Sequence, residues 1–158
     1  MIIRKNFQGG YQKNIFSMDN VLVDTDVILD FFFDRKPFSD QASQLFALCE
    51  SRKIKGFITP VICSNTYYLL RQVARHEKVI EKLRKLLTIL DILSMDRETV
   101  MQALNSGFKD FEDALQNFAA NRAGFIDVII TRNVKDYLKS EIGVLTPENY
   151  IKAITASR

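Results

Sequence analysis

Four separated segments of this chain carry oxygen-bearing side chains of the kind that hold a cation. The first is Asp24-Thr25-Asp26, directly after the apolar run Val21–Val23. The second is Ser64-Asn65, a helical turn beyond Phe57–Thr59 and Pro60. The third is Asp110, Glu112 and Asp113; the fourth is Asn133 and Asp136, just after Thr131 and Arg132. Carboxylates gathered in one place repel each other and stay ionised only with a compensating cation. Oxygen donors without His or Cys suit a hard ion, Mg2+ or Mn2+. Such an ion lowers the pKa of a bound water and neutralises charge on a phosphoryl transition state. The expected chemistry is hydrolysis of a phosphate ester by metal-activated water.

For that, the four segments must meet, and the elements around them say how. Strands are expected at 21–23, 57–59, 91–95, 126–131 and 143–146, each apolar and short. Between them lie helical patterns. Thr25 or Asp26 caps a helix carrying Ile28, Leu29, Phe31 and Phe32, which Pro37 breaks. Ser39 opens a helix whose Ala42, Leu45, Phe46 and Cys49 share one face. Helices follow over 61–75 and 77–87, then 96–104 behind the cap Asp96, then 110–123 closed by Gly124, with a last one opened by Pro147. Alternation of strand and helix predicts an α/β three-layer sandwich: a central, mostly parallel sheet of about four to five strands flanked by helices. Ligands of such sheets sit beyond the carboxyl ends of the strands, where the four segments fall.

Composition narrows the alternatives. At 158 residues, with 47% hydrophobic and 26% charged, the chain fits one globular domain. Residues 1–17 read as a weakly structured extension without the apolar stretch of a signal peptide, and 18–158 as the domain. No apolar run reaches membrane-span length. A net charge of +3 does not by itself mark a nucleic-acid binder. The two cysteines, Cys49 and Cys63, form no CxxC pair and read as reduced core residues of a cytoplasmic protein. A single histidine, His76, excludes a two-histidine ribonuclease mechanism and a His-rich zinc site within one chain.

Four stretches, VLVDTDVILDFF, TPVICSNTYYLL, DFEDALQNFAA and IITRNVKDYL, resemble in order and spacing the four acidic blocks of PIN domains, over about residues 19–150. The last two blocks together are the most specific. The resemblance implies a Mg2+- or Mn2+-dependent nuclease acting on RNA, of the type that often forms the toxin half of a bacterial toxin–antitoxin pair. It implies Asp24 as the first acid of the metal pocket and Asp113 as the third, with Glu112 alongside and Asp136 near the fourth position. Asn65 stands where the second block commonly has Glu, and Asn133 where the fourth often has Asp. Asn coordinates through its carbonyl oxygen without charge, so a weaker metal pocket is expected, with Asp26 and Asp136 making up part of the loss.

Plainer roles stand beside these. Asp24 and Asp26 could serve as helix caps, Asp110 as an N-cap with Asp113 as its partner three residues on. Asn65 could be an ordinary polar helix residue, Glu112 a solvated one, and Thr131 and Asn133 strand-end turn residues. Arg71 and Arg75 lead a basic stretch that reads as a solvated face, or as a guide for a phosphate backbone if it flanks the pocket. Tyr67 and Tyr68 are core residues or stacking platforms. Phe31–Phe33 exceeds one helix face, which points to a homodimer contact. Two other functions compete. Asp24-Thr25-Asp26-Val27-Ile28 resembles the DxDx motif of haloacid-dehalogenase-like phosphatases, with Asp24 as nucleophile. A degenerate PIN-like module would bind RNA or protein without cutting.

Overall fold

The computed structural model describes residues 18–156. The reading of residues 1–17 as an extension lies outside them. Strands β1 (Asn20–Val23), β2 (Lys55–Ile58), β3 (Leu90–Ile92), β4 (Val128–Ile130) and β5 (Gly143–Leu145) form one sheet in the order β3-β2-β1-β4-β5. All four pairings are parallel, so the expected mostly parallel sheet is wholly so. The helices are α1 (Thr25–Phe32), α2 (Phe38–Glu50), α3 (Pro60–Leu70), α4 (His76–Leu86), α5 (Arg97–Leu104), α6 (Phe111–Ala123) and α7 (Pro147–Ala156).

The central strands are apolar on both faces because helices cover both sides of a parallel sheet. Val21, Leu22, Val23, Val128, Ile129 and Ile130 are all fully buried. Gly56 sits where β2 meets β3; a Cβ there would run into Leu90 and Cys49. At the amino ends of the strands, Asp127 Oδ2 accepts the Asn20 N–H at 2.8 Å and the Tyr150 hydroxyl donates to Asp19 at 2.6 Å. These bonds tie β4 and α7 to β1 at the end away from the acidic segments.

Several boundaries differ from expectation. Asp24, and not Thr25 or Asp26, is the N-cap of α1: its carboxylate takes the Thr25 N–H at 2.8 Å. Helix α2 starts at Phe38, so Ser39 is a buried first-turn residue and caps nothing. Helix α3 stops at Leu70 and not near Arg75. The N–H groups of Val73 and Ala74 both close on the Leu70 carbonyl, at 3.1 and 3.0 Å, and the chain turns into α4. Strands β3 and β4 are only three residues long, shorter than the runs expected, and β3 starts one residue earlier, at Leu90. Asp96, Asp110 and Thr59 cap α5, α6 and α3, and Gly124 ends α6 in the left-handed conformation at φ 78°.

Candidate active site

The carboxyl ends of β1, β2 and β4 open into a cleft of about 320 Å³. Asp24, Asp26, Asn65, Asp110, Glu112, Asp113, Gln116, Asn133 and Asp136 all line it, together with Thr25, Leu29, Arg35 and Leu69. A larger cavity, about 630 Å³, lies at the amino ends of β2 and β3 around Gly56 and Leu90. It collects none of these converging acids, so chemistry belongs to the smaller cleft.

Asp24 is fixed from three sides. The end of β4 holds its backbone, since its N–H donates to the Ile130 carbonyl at 3.0 Å. Its Oδ1 accepts the Thr25 N–H, and its Oδ2 accepts the Thr131 hydroxyl at 3.0 Å and the Tyr137 hydroxyl at 3.1 Å. Three of about four carboxylate lone-pair directions are thus spent, leaving Oδ1 one for a ligand. Burial pushes the Asp24 carboxyl above its usual range, against the pull of these donors. Asp26 Oδ2 accepts the Arg132 backbone N–H at 3.0 Å, while its buried Oδ1 has no hydrogen-bond partner. Burial and then the Asp24 charge raise Asp26 to about 6.

Asp113 rides on the first turn of α6. Its N–H is held by Asp110 Oδ1 at 3.0 Å, the cap expected of Asp110. Its own carboxyl is pushed up to about 7, first by burial and then by the charges of Asp24 and Asp110, with Asp136 adding to them. Glu112 rises for the same reasons, burial first and then Asp110 and Asp24. These acids therefore face one another closely enough to resist ionising together, the signature of a site short of positive charge.

The donors are carboxylates, amide carbonyls and hydroxyls, which suits a hard divalent cation. Among the described residues no group of three or more His, Cys, Asp or Glu is gathered closely enough, as the side chains stand, to hold a metal ion. The unpartnered Oδ1 of Asp26 and the spare lone pair of Asp24 are the orphan acceptors a hard cation would satisfy.

Arg71 and Arg75 do not line the cleft. Arg71 caps α3 and donates to the Ala74 carbonyl at 2.9 Å, and Arg75 begins α4. Tyr67 pairs with His76 at 2.9 Å, and Tyr68 is two-thirds exposed. Thr131 is buried behind the cleft as a relay, accepting the Asn133 N–H at 3.1 Å and donating to Asp24.

Four residues of the site went unnoticed in sequence. Tyr137 is sealed in the core with its hydroxyl on Asp24. Gln116 lines the cleft and accepts the Thr59 hydroxyl at 2.5 Å. Asp30, 1% exposed, takes a two-pronged bond from Arg132, Nε to Oδ2 at 2.6 Å and Nη2 to Oδ1 at 3.1 Å. Arg35 approaches the same carboxylate at 3.8 Å. The signal for Asp30 was a charged residue on the apolar face of α1, three and two positions after Val27 and Ile28.

A ribonuclease of Aquifex aeolicus (strain VF5), VapC1, is 26% identical over 137 residues, covering 84% of this chain and 93% of its own. The toxin–antitoxin complex from Klebsiella pneumoniae contains a chain that superposes with a TM-score of 0.60 at 23% identity, over 80% of this chain and 97% of that one. The sarcin–ricin-loop-cleaving toxin VapC20 of Mycobacterium tuberculosis superposes with a TM-score of 0.54 at 19% identity, over 69% and 86%. These likenesses leave the phosphatase resemblance of the first acidic segment without support. The family profile of the PIN domain matches residues 20–135, from β1 to the residue before Asp136, and the chain belongs to the PIN domain family.

Proposed function

We propose that this chain is a divalent-metal-dependent endoribonuclease and the toxin of a toxin–antitoxin pair. The observation that carries the reading is the convergence of Asp24, Asp26, Asp113 and Asp136 on one cleft whose acids hold each other's pKa values up. The named ribonuclease and toxin relatives supply the substrate class and the partner class. A cytoplasmic setting and a homodimer belong to the same proposal. The dimer contact is assigned to the Phe31 side of α1, where that ring stays 39% exposed.

Asp24, Asp113, Asp136 and Asp26 would hold Mg2+ or Mn2+, with Asn65, Glu112 and Asn133 supporting through oxygen. When bound, the ion supplies Lewis acidity that lowers the pKa of water and offsets charge on the phosphoryl oxygens. The chain's own residues do the rest. Thr131 and Tyr137 fix the rotamer of Asp24 by bonding the same oxygen, Oδ2. Asp113, whose carboxyl is pushed up to about 7 without metal, would give up its proton to serve as an anionic ligand. Gln116, fixed by Thr59, presents a neutral amide on the cleft floor beside the acids.

The test is cleavage of end-labelled single-stranded and hairpin RNAs in Mn2+, in Mg2+ and in chelator, with Asp24→Asn and Asp113→Asn alongside. Metal-dependent cleavage lost in both variants supports the reading. A folded, inhibitor-free protein that cuts nothing favours the binding module instead, the reading that Asn65 and Asn133 in the cleft wall favour.

A further inference from the structure

A cleft of six carboxylates repels the very phosphates that a ribonuclease must admit. Even with a divalent ion bound, the polyanion needs a second positive contact, since field lines from like charges raise the cost of entry. Among the described residues, Arg35 is the only Lys or Arg lining the cleft. We propose that Arg35 is the phosphate anchor of this site, holding an RNA phosphate beside the one being cut; the proposal rests on the ribonuclease reading above.

The charge balance around Asp30 leaves Arg35 available. One buried carboxylate faces two guanidiniums, so the trio carries a net positive charge. Arg132 takes both oxygens at 2.6 and 3.1 Å with a fork-like geometry. Arg35 stands off at 3.8 Å, beyond hydrogen-bond range, and its side chain is 44% exposed. Its five N–H donors are therefore largely unspent. Asp30 acts on it as a tether and not as a full partner.

The position is also built in advance. The Arg35 N–H donates to the Asp30 carbonyl at 3.0 Å, and the Arg35 carbonyl accepts the Ser39 N–H at 2.8 Å. Asp34, just before it, takes the left-handed conformation at φ 48°, which aims the turn between α1 and α2 back towards the cleft. The guanidinium lies over the Phe33 ring at 5.1 Å. A cation fixed at both its backbone and its flank gives up little entropy when it meets a phosphate. Neither Arg71 nor Arg75 lines the cleft.

The experiment follows binding of a fluorescein-labelled single-stranded RNA by anisotropy in Ca2+, across a salt series, with the probe checked for intactness by gel. Expected for Arg35→Ala is affinity about tenfold weaker, as for loss of one charge-assisted bond. The slope of log affinity against log salt should shrink by about 0.7, the contribution of one phosphate contact on a single strand. Arg35→Lys keeps the slope and part of the affinity, because the charge stays and the fork is lost. In Mn2+, Arg35→Ala should raise KM about tenfold with kcat within about twofold. A merely structural role would leave the salt slope alone. Unchanged affinity and slope in Arg35→Ala overturn the anchor, whether or not the wild type cleaves. Weakened binding in that variant, from a wild-type protein that cuts no RNA in any metal, keeps the anchor and removes the ribonuclease reading.

Discussion

The hydroxyl of Tyr137 donates to Asp24 Oδ2 at 3.1 Å from a ring that is only 1% exposed, and the same phenol pulls the Asp113 pKa down against its burial. The phenolic proton is spent on the cap of α1, while the phenol also stands within electrostatic reach of the first turn of α6. Burial drives the Tyr137 pKa upward, with the Asp24 and Asp113 charges behind it, so the phenol stays a neutral donor at any working pH. A donor to an ionised carboxylate holds that carboxylate's pKa down. Tyr137 therefore lets Asp24 and Asp113 sit near each other as anions more readily than an apolar wall would.

Tyr137→Phe isolates that contribution, since the ring keeps its edge contact with Phe108 at 6.3 Å between centroids. Asp24 loses a donor and Asp113 loses the neighbouring phenol dipole, so both pKa values rise. The acidic limb of the rate–pH profile should move up by about half a unit, and kcat at neutral pH should fall by roughly threefold to tenfold. Global stability should drop by about 1 kcal/mol for the lost buried bond. A profile that does not move would mean that Tyr137 only fills space.

The raised acids also set how stability depends on pH. Asp113 at about 7 and Asp26 at about 6 bind protons in the folded chain that the unfolded chain has already released. Between the ordinary carboxylate range and pH 7 the native state holds more protons, so metal-free stability falls as pH rises through that window. Asp127, raised to about 6 by burial, acts in the same direction. Melting temperature in chelator should therefore decline from pH 5 to pH 8. Mn2+ should restore it more at pH 8 than at pH 5.5, because the ion binds the ionised acids. Asp113→Asn should flatten both effects. A melting temperature that climbs steadily across this range without metal would refute the account.

Sequence placed the acids because strand-end position is a local property. Asp24 follows a three-residue apolar run, Asp113 opens a helix behind an Asp cap, and Asp136 follows the run ending at Thr131; each can be read from neighbours alone. What escaped was what depends on long-range packing. Tyr137 ends the block IITRNVKDYL without an assigned role, and only the fold brings it 113 positions back to Asp24. The Asp30–Arg132 pair joins residues 102 positions apart. Arg71 and Arg75 fall after the end of α3 because that helix stops at Leu70, earlier than its composition promised. Nothing in that stretch announces the reversal, which rests on two N–H groups closing on Leu70.

Asn133→Asp tests the missing charge directly. Asn133 lines the cleft at the fourth acidic segment, with its N–H already held by Thr131 at 3.1 Å, so the new carboxylate starts from an ordered turn. Calorimetry should show Mn2+ binding tighter by about tenfold, the gain of one anionic ligand in place of a neutral one. Without metal the same change adds a like charge beside Asp24 and Asp113 and should lower the melting temperature by a few degrees. Tighter binding without the metal-free penalty would place residue 133 away from the other acids.

Asp30→Asn probes the support beneath the site. The substitution keeps the shape and removes the charge, leaving two guanidiniums without their shared anion. Breaking a buried pair costs about 3–5 kcal/mol, but Arg132 is 28% and Arg35 44% exposed, so water recovers part of it. A loss of about 2 kcal/mol is expected from urea unfolding, read as a lower midpoint at constant slope. The Arg132 backbone N–H is what holds Asp26 Oδ2, so the loosened side chain also frees the turn that orients a cleft acid. Metal affinity should therefore weaken along with stability, and Arg132→Ala should reproduce both losses. A stable Asp30→Asn protein with unaltered Mn2+ binding would show that the pair anchors neither the turn nor the acid.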